Sequence, residues 1–219
     1  MFIDSANVIQ IKDTISLGIV EGITTNPSIL KSAKTNELLF ANDLKRITNV
    51  PVYFQLRGST ADDYINYFNY LKSELPIEFG IKIPVDYEGV KAIATLRKAD
   101  TDLPILGTVI YTVAQAILAI EAGCNYLAPY YNRILQEGTD SNEVITKIRW
   151  YIDNQESSCK IMAASFKTTD QVVSALIAGA HTCTLPVTIL SHMLENKSVF
   201  SDINAFNSIS YAEDDYDAH

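Results

Sequence analysis

Short apolar runs alternate with longer segments of helical periodicity along most of the chain, from residue 2 to about residue 194. Runs of β-type residues bounded by turn-forming residues predict strands. The predicted strands are residues 2–4, 22–25, 50–56, 79–85, 103–108, 125–128, 160–164 and 180–184. Between them, apolar residues recur at the spacing of one helix face, as in Val90, Ile93, Ala94 and Leu96. The chain is therefore predicted to consist of eight βα units.

This arrangement predicts a (β/α)8 TIM barrel. The length of 219 residues lies near the lower size limit of that fold, about 200 residues. The doubly wound alternative is less favoured, because the chain has neither a Gly-rich dinucleotide-binding motif nor a phosphate-cradling Gly-Lys-Ser/Thr loop. We predict one TIM-barrel domain over residues 1–219, with the barrel at about 1–198 and an additional C-terminal helix, or arm, at about 199–211. Residues 212–219 lack apolar periodicity and are expected to form an acidic tail.

Composition and charge narrow the functional classes. The 26 acidic residues exceed the 17 basic ones, and the net charge of −9 argues against a general nucleic-acid binder, which presents clustered Lys and Arg. No segment approaches the length of a membrane-spanning helix, about 20 apolar residues. The N-terminus shows no basic stretch followed by an apolar run, so a cytoplasmic location is expected. Cys124, Cys159 and Cys183 are widely spaced among apolar residues and are predicted to be buried thiols.

Polar residues collect at the ends of the predicted strands. In a TIM barrel, catalytic groups come from the C-terminal ends of the strands, so these residues are predicted to meet at one rim. They are Asp4 and Ser5, Thr24 to Asn26, Gln55, Lys82, Thr108, Tyr130 to Arg133, and Ser165 to Lys167. The sequence thus predicts a polar site at the mouth of the barrel.

Lys82 lies within the fourth predicted strand. Strand alternation places Ile81, Ile83 and Val85 towards the helices and Lys82 towards the barrel interior. Loss of hydration there lowers the pKa of a lysine, and a neutral amine can attack a carbonyl to form a Schiff base. The alternative is a lysine that extends to solvent or pairs with Asp4. The strand pattern does not decide between the two.

Several other candidates have structural alternatives. Arg133, Ser165 and Lys167 could together bind a phosphate, although solvent exposure is the more common fate of basic residues. Asn26 could instead cap a helix that begins at Pro27.

Three further polar residues are predicted to be structural. Asp86 is expected to be a helix N-cap rather than an acid catalyst. His181 and His192 lie in apolar surroundings without the spacing of metal ligands, so they are expected to be structural histidines. No metal site is predicted.

Five motifs occur in order along nearly the whole chain. They are GITTNPS at 22–28, IKIPV at 81–85, LGT at 106–108, APYYNR at 128–133 and AASFK at 163–167. Together they resemble the motif set of the small transaldolase family, and within it the fructose-6-phosphate aldolases. The resemblance implies a class I aldolase on a TIM barrel that needs no metal or other cofactor. Lys82 would form a Schiff base with the carbonyl of a dihydroxyacetone unit, and the protonated imine would accept the electrons released when the bond between carbons three and four breaks.

The resemblance also implies roles for other residues. Asp4 and Asn26 match positions that orient the donor hydroxyls and the lysine. Thr108 matches a position that helps to hold the catalytic water. The positions that bind the phosphate of the aldehyde portion are matched by Arg133 and Ser165, with Lys167 as a further assistant.

Three positions separate lyases from transferases by this resemblance. Transaldolases carry Glu on strand three as a proton shuttle, Asn two residues before the strand-five Thr, and Phe after the strand-six Pro. This chain has Gln55, Leu106 and Tyr130 at those positions, which resembles the lyase pattern, with Tyr130 transferring protons through the bound water. A phenol has an ordinary pKa of about 10, so its surroundings, with Lys82 a candidate, are expected to tune it.

The chain departs from the family pattern at three places. Asp86 stands where Thr is usual, a change between two N-capping residues. Leu135 follows the Arg133-Ile134 pair where an acid is common, which leaves open what supports the arginine. The residues on either side of Gln55 also differ, which leaves open a changed donor or acceptor preference.

Three functions follow as hypotheses. The first is a lyase that reversibly cleaves fructose 6-phosphate to dihydroxyacetone and glyceraldehyde 3-phosphate. The second is a transaldolase that moves a dihydroxyacetone unit between sugar phosphates in the pentose phosphate pathway, and the third is a sugar-phosphate-binding protein without turnover. In each case the expected partner is a small sugar phosphate, not nucleic acid or a membrane. The resemblance further implies a homo-oligomer, a pentamer or decamer, assembled through residues 199–211.

Overall fold

The structure is a computed structural model, and it describes residues 1–209. In this range eight strands alternate with eleven helices. The strands are β1 Phe2–Asp4, β2 Gly22–Thr24, β3 Val52–Gln55, β4 Gly80–Pro84, β5 Ile105–Ile110, β6 Tyr126–Pro129, β7 Lys160–Ala163 and β8 Thr182–Leu185. The helices are α1 Val8–Ile15, α2 Pro27–Ser32, α3 Glu37–Ile47, α4 Ala61–Glu74, α5 Tyr87–Ala99, α6 Val113–Glu121, α7 Tyr131–Gln136, α8 Ser141–Asn154, α9 Thr169–Ile177, α10 Val187–Leu194 and α11 Lys197–Asn207. The predicted acidic tail and the end of the predicted arm, residues 210 and 211, lie outside the described residues.

The strands form a closed barrel in sequence order, with β1 paired in parallel to both β2 and β8. The predicted (β/α)8 TIM barrel with an additional C-terminal helix is therefore confirmed. One boundary matters for the site, because β5 continues past its predicted end at Thr108 to Ile110. The register with β6 shifts between Gly107 and Ile110, and Val109 has a φ of 60°. A positive φ is rare for a β-branched residue, so the apolar pattern gave no indication of this bulge.

Side chains of the strands alternate between two layers, as predicted for β4. Ile81, Ile83 and Val85 belong to the outer apolar core with residues of the surrounding helices. The apolar part of the barrel interior is a separate cluster of Phe2, Tyr53, Leu106, Ala128, Met162 and Ala164. The barrel interior is therefore a packed layer separate from the outer core. The residues at the inward positions of the strands determine which chemical groups the interior contains.

Two glycines make room for aromatic rings at the N-terminal end of the barrel. A Cβ atom at Gly22 would lie 2.5 Å from Cε1 of Phe2, and one at Gly80 would lie 2.4 Å from Cε1 of Tyr53. The Phe2 and Tyr53 rings meet edge to face with centroids 6.1 Å apart, and both also pack against Tyr126. These rings fill the N-terminal end of the interior, and the polar inward residues occupy its C-terminal end.

Several polar residues near the strand ends have structural roles. The Asn26 side chain accepts a backbone hydrogen bond of 3.0 Å in the first turn of α2, and the Asp86 side chain accepts one of 2.7 Å in the first turn of α5. Asp86 is the N-cap that the sequence predicts, and Asn26 is the N-cap that the sequence offers as the alternative to a binding role. His181 accepts a hydrogen bond of 3.0 Å at Nδ1 from the backbone of β7, which is a structural contact. The three cysteines are buried free thiols.

The C-terminal helix α11 starts two residues before the predicted arm and carries an apolar surface that no part of the described chain covers. None of its residues is buried. Its exposed large apolar side chains are Val199, Phe200, Ile203 and Phe206. Among residues 1–209, no helix combines the length and the hydropathy that crossing a membrane requires.

Candidate active site

Lys82 lies at the centre of β4 and points into the barrel. Its inward direction follows from its place between the outward-facing Ile81 and Ile83, and only 4% of its surface is exposed. Burial lowers the pKa of its amine, and the negative charge of Asp4 opposes this effect without reversing it. A freely hydrated lysine is thus excluded, and no ion pair within residues 1–209 holds its ammonium form. The arrangement favours a neutral amine inside the barrel.

Asp4 ends β1 beside this amine and is held by a hydroxyl. Thr24 on the adjoining strand β2 donates a hydrogen bond of 2.7 Å to Oδ1 of Asp4. The hydroxyl oxygen of Thr24 also lies 2.7 Å from that of Thr184 on β8. Within the described chain, this is the single side-chain hydrogen bond that the Asp4 carboxylate accepts. The second carboxylate oxygen, Oδ2, can therefore accept a hydrogen bond from another group in the barrel.

Tyr130 follows β6 and is joined to Thr108 of β5. The Thr108 hydroxyl is fully buried and donates a hydrogen bond of 3.1 Å to the phenolic oxygen of Tyr130. Burial raises the pKa of Tyr130, and the hydrogen bond from Thr108 opposes this effect in part. Lys82, a candidate for tuning this phenol, is not among the causes of the shift, and the charged residues that act on the phenol are Asp4 and Arg133. Tyr130 is therefore a protonated phenol at neutral pH, whose own proton is free to point towards a ligand.

Arg133 extends from α7 over the Tyr130 ring, with 5.1 Å from its guanidinium carbon to the ring centroid. Its Nη1 atom donates a hydrogen bond of 3.4 Å to the hydroxyl of Tyr111. The guanidinium is exposed and forms no ion pair with an acidic side chain of the described residues. Neutral partners hold it in place while its charge remains available to an anion. Tyr111 thus provides support where the acid expected after Ile134 is missing.

A cavity of about 790 Å³ opens at the C-terminal rim of the barrel. The predicted site residues along its wall are Asp4, Asn26, Ser165 and Lys167. It extends sideways between α1 and the α2–α3 region, where Val8 and Ile29 give it an apolar side. Lys82, Thr108 and Tyr130 are not part of this wall. They come from the inner faces of β4 and β5 and from the end of β6.

Helix α7 and the loop after β7, which carry the proposed phosphate ligands, are joined by hydrogen bonds. Asn132, next to Arg133, donates a backbone hydrogen bond of 3.1 Å to the carbonyl of Ser165. Gln171 bonds both to the Asn132 side chain, over 3.0 Å, and to the Lys167 backbone, over 2.7 Å. Ser165 has a φ of 64°, a sparsely populated conformation that the surrounding contacts maintain. The three candidate ligands therefore lie on neighbouring segments, Arg133 on α7 and Ser165 and Lys167 on the loop after β7, although their side chains make no direct contact with one another.

Gln55 and Asn26 complete the rim. Gln55 ends β3, is half-buried and pairs in register with Lys82 on β4. Asn26 uses its side-chain oxygen to cap α2, so its amide NH₂ is the group left for a ligand. Among residues 1–209 there is no group of three or more His, Cys, Asp or Glu side chains arranged to hold a metal ion.

Sequence reasoning missed two residues of this region. Tyr111 follows the bulge in β5, and its contact with Arg133 depends on how that bulge turns the chain. Thr184 lies in a predicted strand, but its contact with Thr24 joins residues 160 positions apart across the closure of the barrel. The sequence does contain one indication that Thr184 belongs to the site, because alternation along β8 places it on the inner face near the C-terminal end of the strand.

Comparisons with known proteins show the family of the chain. A family model described as transaldolase/fructose-6-phosphate aldolase matches residues 1–218. A probable fructose-6-phosphate aldolase of Streptococcus pneumoniae is 35% identical over 219 residues, covering 98% of this chain and 92% of that protein. A probable transaldolase of Streptococcus pyogenes serotype M5 is 31% identical over 205 residues, covering 94% of each chain. The chain belongs to the transaldolase/fructose-6-phosphate aldolase family.

Proposed function

We propose that this protein is a class I aldolase that reversibly cleaves fructose 6-phosphate to dihydroxyacetone and glyceraldehyde 3-phosphate. The observation that carries the proposal is the buried amine of Lys82, whose pKa burial lowers, on the inner face of the barrel. Asp4 and the Thr108–Tyr130 pair lie around the same interior. This set combines a nucleophile, a carboxylate and a protonated phenol, which is what imine chemistry on a hydroxylated ketone uses.

The reaction begins with attack of the Lys82 nitrogen on the ketone carbon of the sugar phosphate. Loss of water with uptake of one proton from solvent gives a protonated imine, and the later hydrolysis returns that proton. The hydroxyl on carbon four then gives up its proton to the water held with Thr108 and Tyr130, the bond between carbons three and four breaks, and its electron pair moves into the iminium to form an enamine. Glyceraldehyde 3-phosphate leaves at this point. Protonation of the enamine at carbon three and hydrolysis of the imine release dihydroxyacetone and restore the amine.

Each polar neighbour has a place in this sequence. The Asp4 carboxylate binds donor hydroxyls and favours the iminium by its charge. The phenol of Tyr130, which is protonated at neutral pH, supplies a proton to the enamine through a water held with Thr108 and regains the proton that carbon four released. Gln55, beside Lys82 in the sheet, binds as a neutral amide and cannot act as a proton shuttle.

The phosphate is bound at the edge of the rim. We assign Arg133, whose charge has no acidic partner among the described residues, as its principal ligand. Ser165 adds a hydroxyl from the neighbouring loop, and the exposed Lys167 adds a second positive charge. Asn26 offers its amide to the donor end of the sugar.

Lyase activity is favoured over transfer by the residues that handle protons. Gln55, Leu106 and Tyr130 follow the lyase pattern of the resemblance described above. A protonated phenol next to the enamine promotes its protonation and thereby the release of dihydroxyacetone. Transaldolase activity is the second candidate, because relatives named probable transaldolase are about as similar as one named probable aldolase.

We also propose that residues 1–198 form the catalytic barrel and that the chain assembles into a homo-oligomer, a pentamer or decamer, in the cytoplasm. The oligomer is supported by the apolar surface of α11, which the described part of the chain leaves uncovered. It brings the exposed Phe200 and Phe206 into contact with another subunit.

A comparison of release and transfer tests the proposal. Fructose 6-phosphate is incubated with the protein, with and without erythrose 4-phosphate, and free dihydroxyacetone and the transfer product are both quantified. We expect free dihydroxyacetone to form without an acceptor and to remain the main product with one. Transfer that outpaces release would make the protein a transaldolase. Saturable binding without either product would make it a binding protein.

A further inference from the structure

Thr184 lies on the inner face of β8, where the barrel closes against β1. Its side chain is 2% exposed, and its hydroxyl oxygen lies 2.7 Å from that of Thr24. Thr24, which is fully buried, lies in turn 2.7 Å from Oδ1 of Asp4. Three side chains from β8, β2 and β1 therefore form one continuous chain of hydrogen bonds that ends on the carboxylate.

The number of protons available determines which group donates each of these two hydrogen bonds. An ionised carboxylate only accepts hydrogen bonds, and a threonine hydroxyl has one proton. When Asp4 is ionised, Thr24 therefore donates to Asp4, and the second short contact of Thr24 must be donated by Thr184. Each bond polarises the next, so the donation from Thr184 strengthens the bond that Asp4 receives.

Water cannot replace Thr184 in this role. Both threonines are buried, so removal of the Thr184 hydroxyl leaves the Thr24 oxygen with an unfilled acceptor site and weakens the bond that Thr24 donates to Asp4. The geometry points to Thr184 as a positioning residue: through Thr24 it holds the carboxylate of Asp4 in the orientation that the imine chemistry at Lys82 requires. This role rests on the function proposed above and adds to it a residue outside the family motifs.

Thr182 provides a matched control. It lies two residues before Thr184, on the same face of β8, and its hydroxyl is buried without a hydrogen-bond partner among the described residues. Replacing it by valine removes an unsatisfied polar atom at almost unchanged volume. Thr182→Val is therefore expected to leave kcat unchanged and stability equal or higher.

The test compares Thr184→Val, which keeps the shape, with Thr184→Ser, which keeps the hydroxyl. For fructose 6-phosphate cleavage, we expect Thr184→Val to lower kcat by about tenfold, with a smaller change in KM, because one hydrogen bond to a polar group is lost. Thr184→Ser is expected to retain most of kcat. Thr24→Val combined with Thr184→Val should be no slower than Thr24→Val alone, because Thr184 acts through Thr24.

Two outcomes would overturn the assignment. One is wild-type kcat in Thr184→Val, and the other is an equal or larger loss in Thr184→Ser, which would indicate packing by the methyl group. If Thr184→Val does not fold, Thr184→Ala is compared with Thr184→Ser on the same two criteria. The wild type separates this inference from the proposed function: without cleavage or a borohydride adduct on Lys82 the function fails, whereas a cleaving wild type with an equally active Thr184→Val refutes the role of Thr184 alone.

Discussion

The hydroxyl of Thr108 donates a hydrogen bond of 3.1 Å to the phenolic oxygen of Tyr130. This direction has a chemical consequence, because it occupies an acceptor site on the phenol and leaves the phenol's own proton for another partner. Burial raises the pKa of the same phenol, so that proton is present throughout the neutral range. Two neighbouring strands thus present a proton donor to the interior that contains Lys82.

Removal of the Tyr130 hydroxyl is predicted to change the fate of the enamine. Tyr130→Phe keeps the ring that packs under Arg133 but removes the proton, and lyase turnover should fall at least about 100-fold, as is typical for loss of an acid–base group. Transfer to erythrose 4-phosphate should fall less, because the enamine then waits for an aldehyde. Product analysis of both reactions measures the ratio. If the ratio of transfer to release is the same in Tyr130→Phe as in the wild type, Tyr130 does not transfer the proton.

The buried amine of Lys82 predicts a pH-dependent contribution to stability. Burial lowers its pKa in the folded protein, so between that lowered pKa and the ordinary value of about 10.4 the unfolded chain binds a proton that the folded chain lacks. Protonation therefore favours unfolding, and the contribution of Lys82 to the free energy of unfolding rises with pH across this window. Lys82→Met should be more stable than the wild type at pH 7, by a margin that shrinks towards alkaline pH.

Urea denaturation of both proteins at several pH values measures this margin. Lys98→Met, which removes an exposed lysine, is the control for the loss of a surface charge. A margin that does not vary with pH, or a Lys82→Met protein less stable than the wild type at pH 7, would show that the folded protein accommodates the ammonium form.

Phosphate recognition is predicted to depend on Arg133. Arg133→Ala should raise KM for fructose 6-phosphate by about 10- to 100-fold, the value of a charge-assisted hydrogen bond, and should leave KM for unphosphorylated fructose unchanged. Lys167→Ala is expected to have a smaller effect in the same direction. Steady-state kinetics with both substrates measure the difference. Equal losses for both sugars would assign Arg133 to the support of Tyr130 instead.

The uncovered surface of α11 predicts assembly through this helix. A chain that ends at residue 196 should sediment as a smaller species than the full chain, because it lacks the apolar residues of α11. A chain that ends at residue 209 keeps the helix and is the control. Phe200→Ser should also weaken assembly, since this side chain is 60% exposed in the single chain. Analytical ultracentrifugation that finds the same mass for all these proteins would place the interface elsewhere.

The features that the sequence predicts are those that follow from local periodicity. The number of strands, the inward direction of Lys82 and the cap at Asp86 depend on neighbours within a few residues, and the structure has each of them. The resemblance added the hypothesis that particular inward and rim residues belong to one site. The motifs identify residue types at positions, however, and carry no information on hydrogen-bond direction.

The features that the sequence does not predict depend on distant contacts or on backbone conformation. The bulge at Val109 needs a positive φ that no propensity indicates, and it determines where Tyr111 meets Arg133. The Thr184–Thr24 contact depends on the register at which the last strand closes on the first. The sequence names Lys82 only as a candidate for tuning the pKa of Tyr130, and the largest cause of the shift is burial, which is a property of the whole barrel.

Borohydride reduction in the presence of dihydroxyacetone tests most directly whether Lys82 is the amine that forms the imine. Mass spectrometry of the digested wild-type protein should find a reduced dihydroxyacetone adduct on Lys82, and Lys82→Met should show no adduct on any lysine. Modification of the wild type at another lysine, or no adduct at all under conditions of full turnover, would contradict the assignment of this buried amine as the nucleophile.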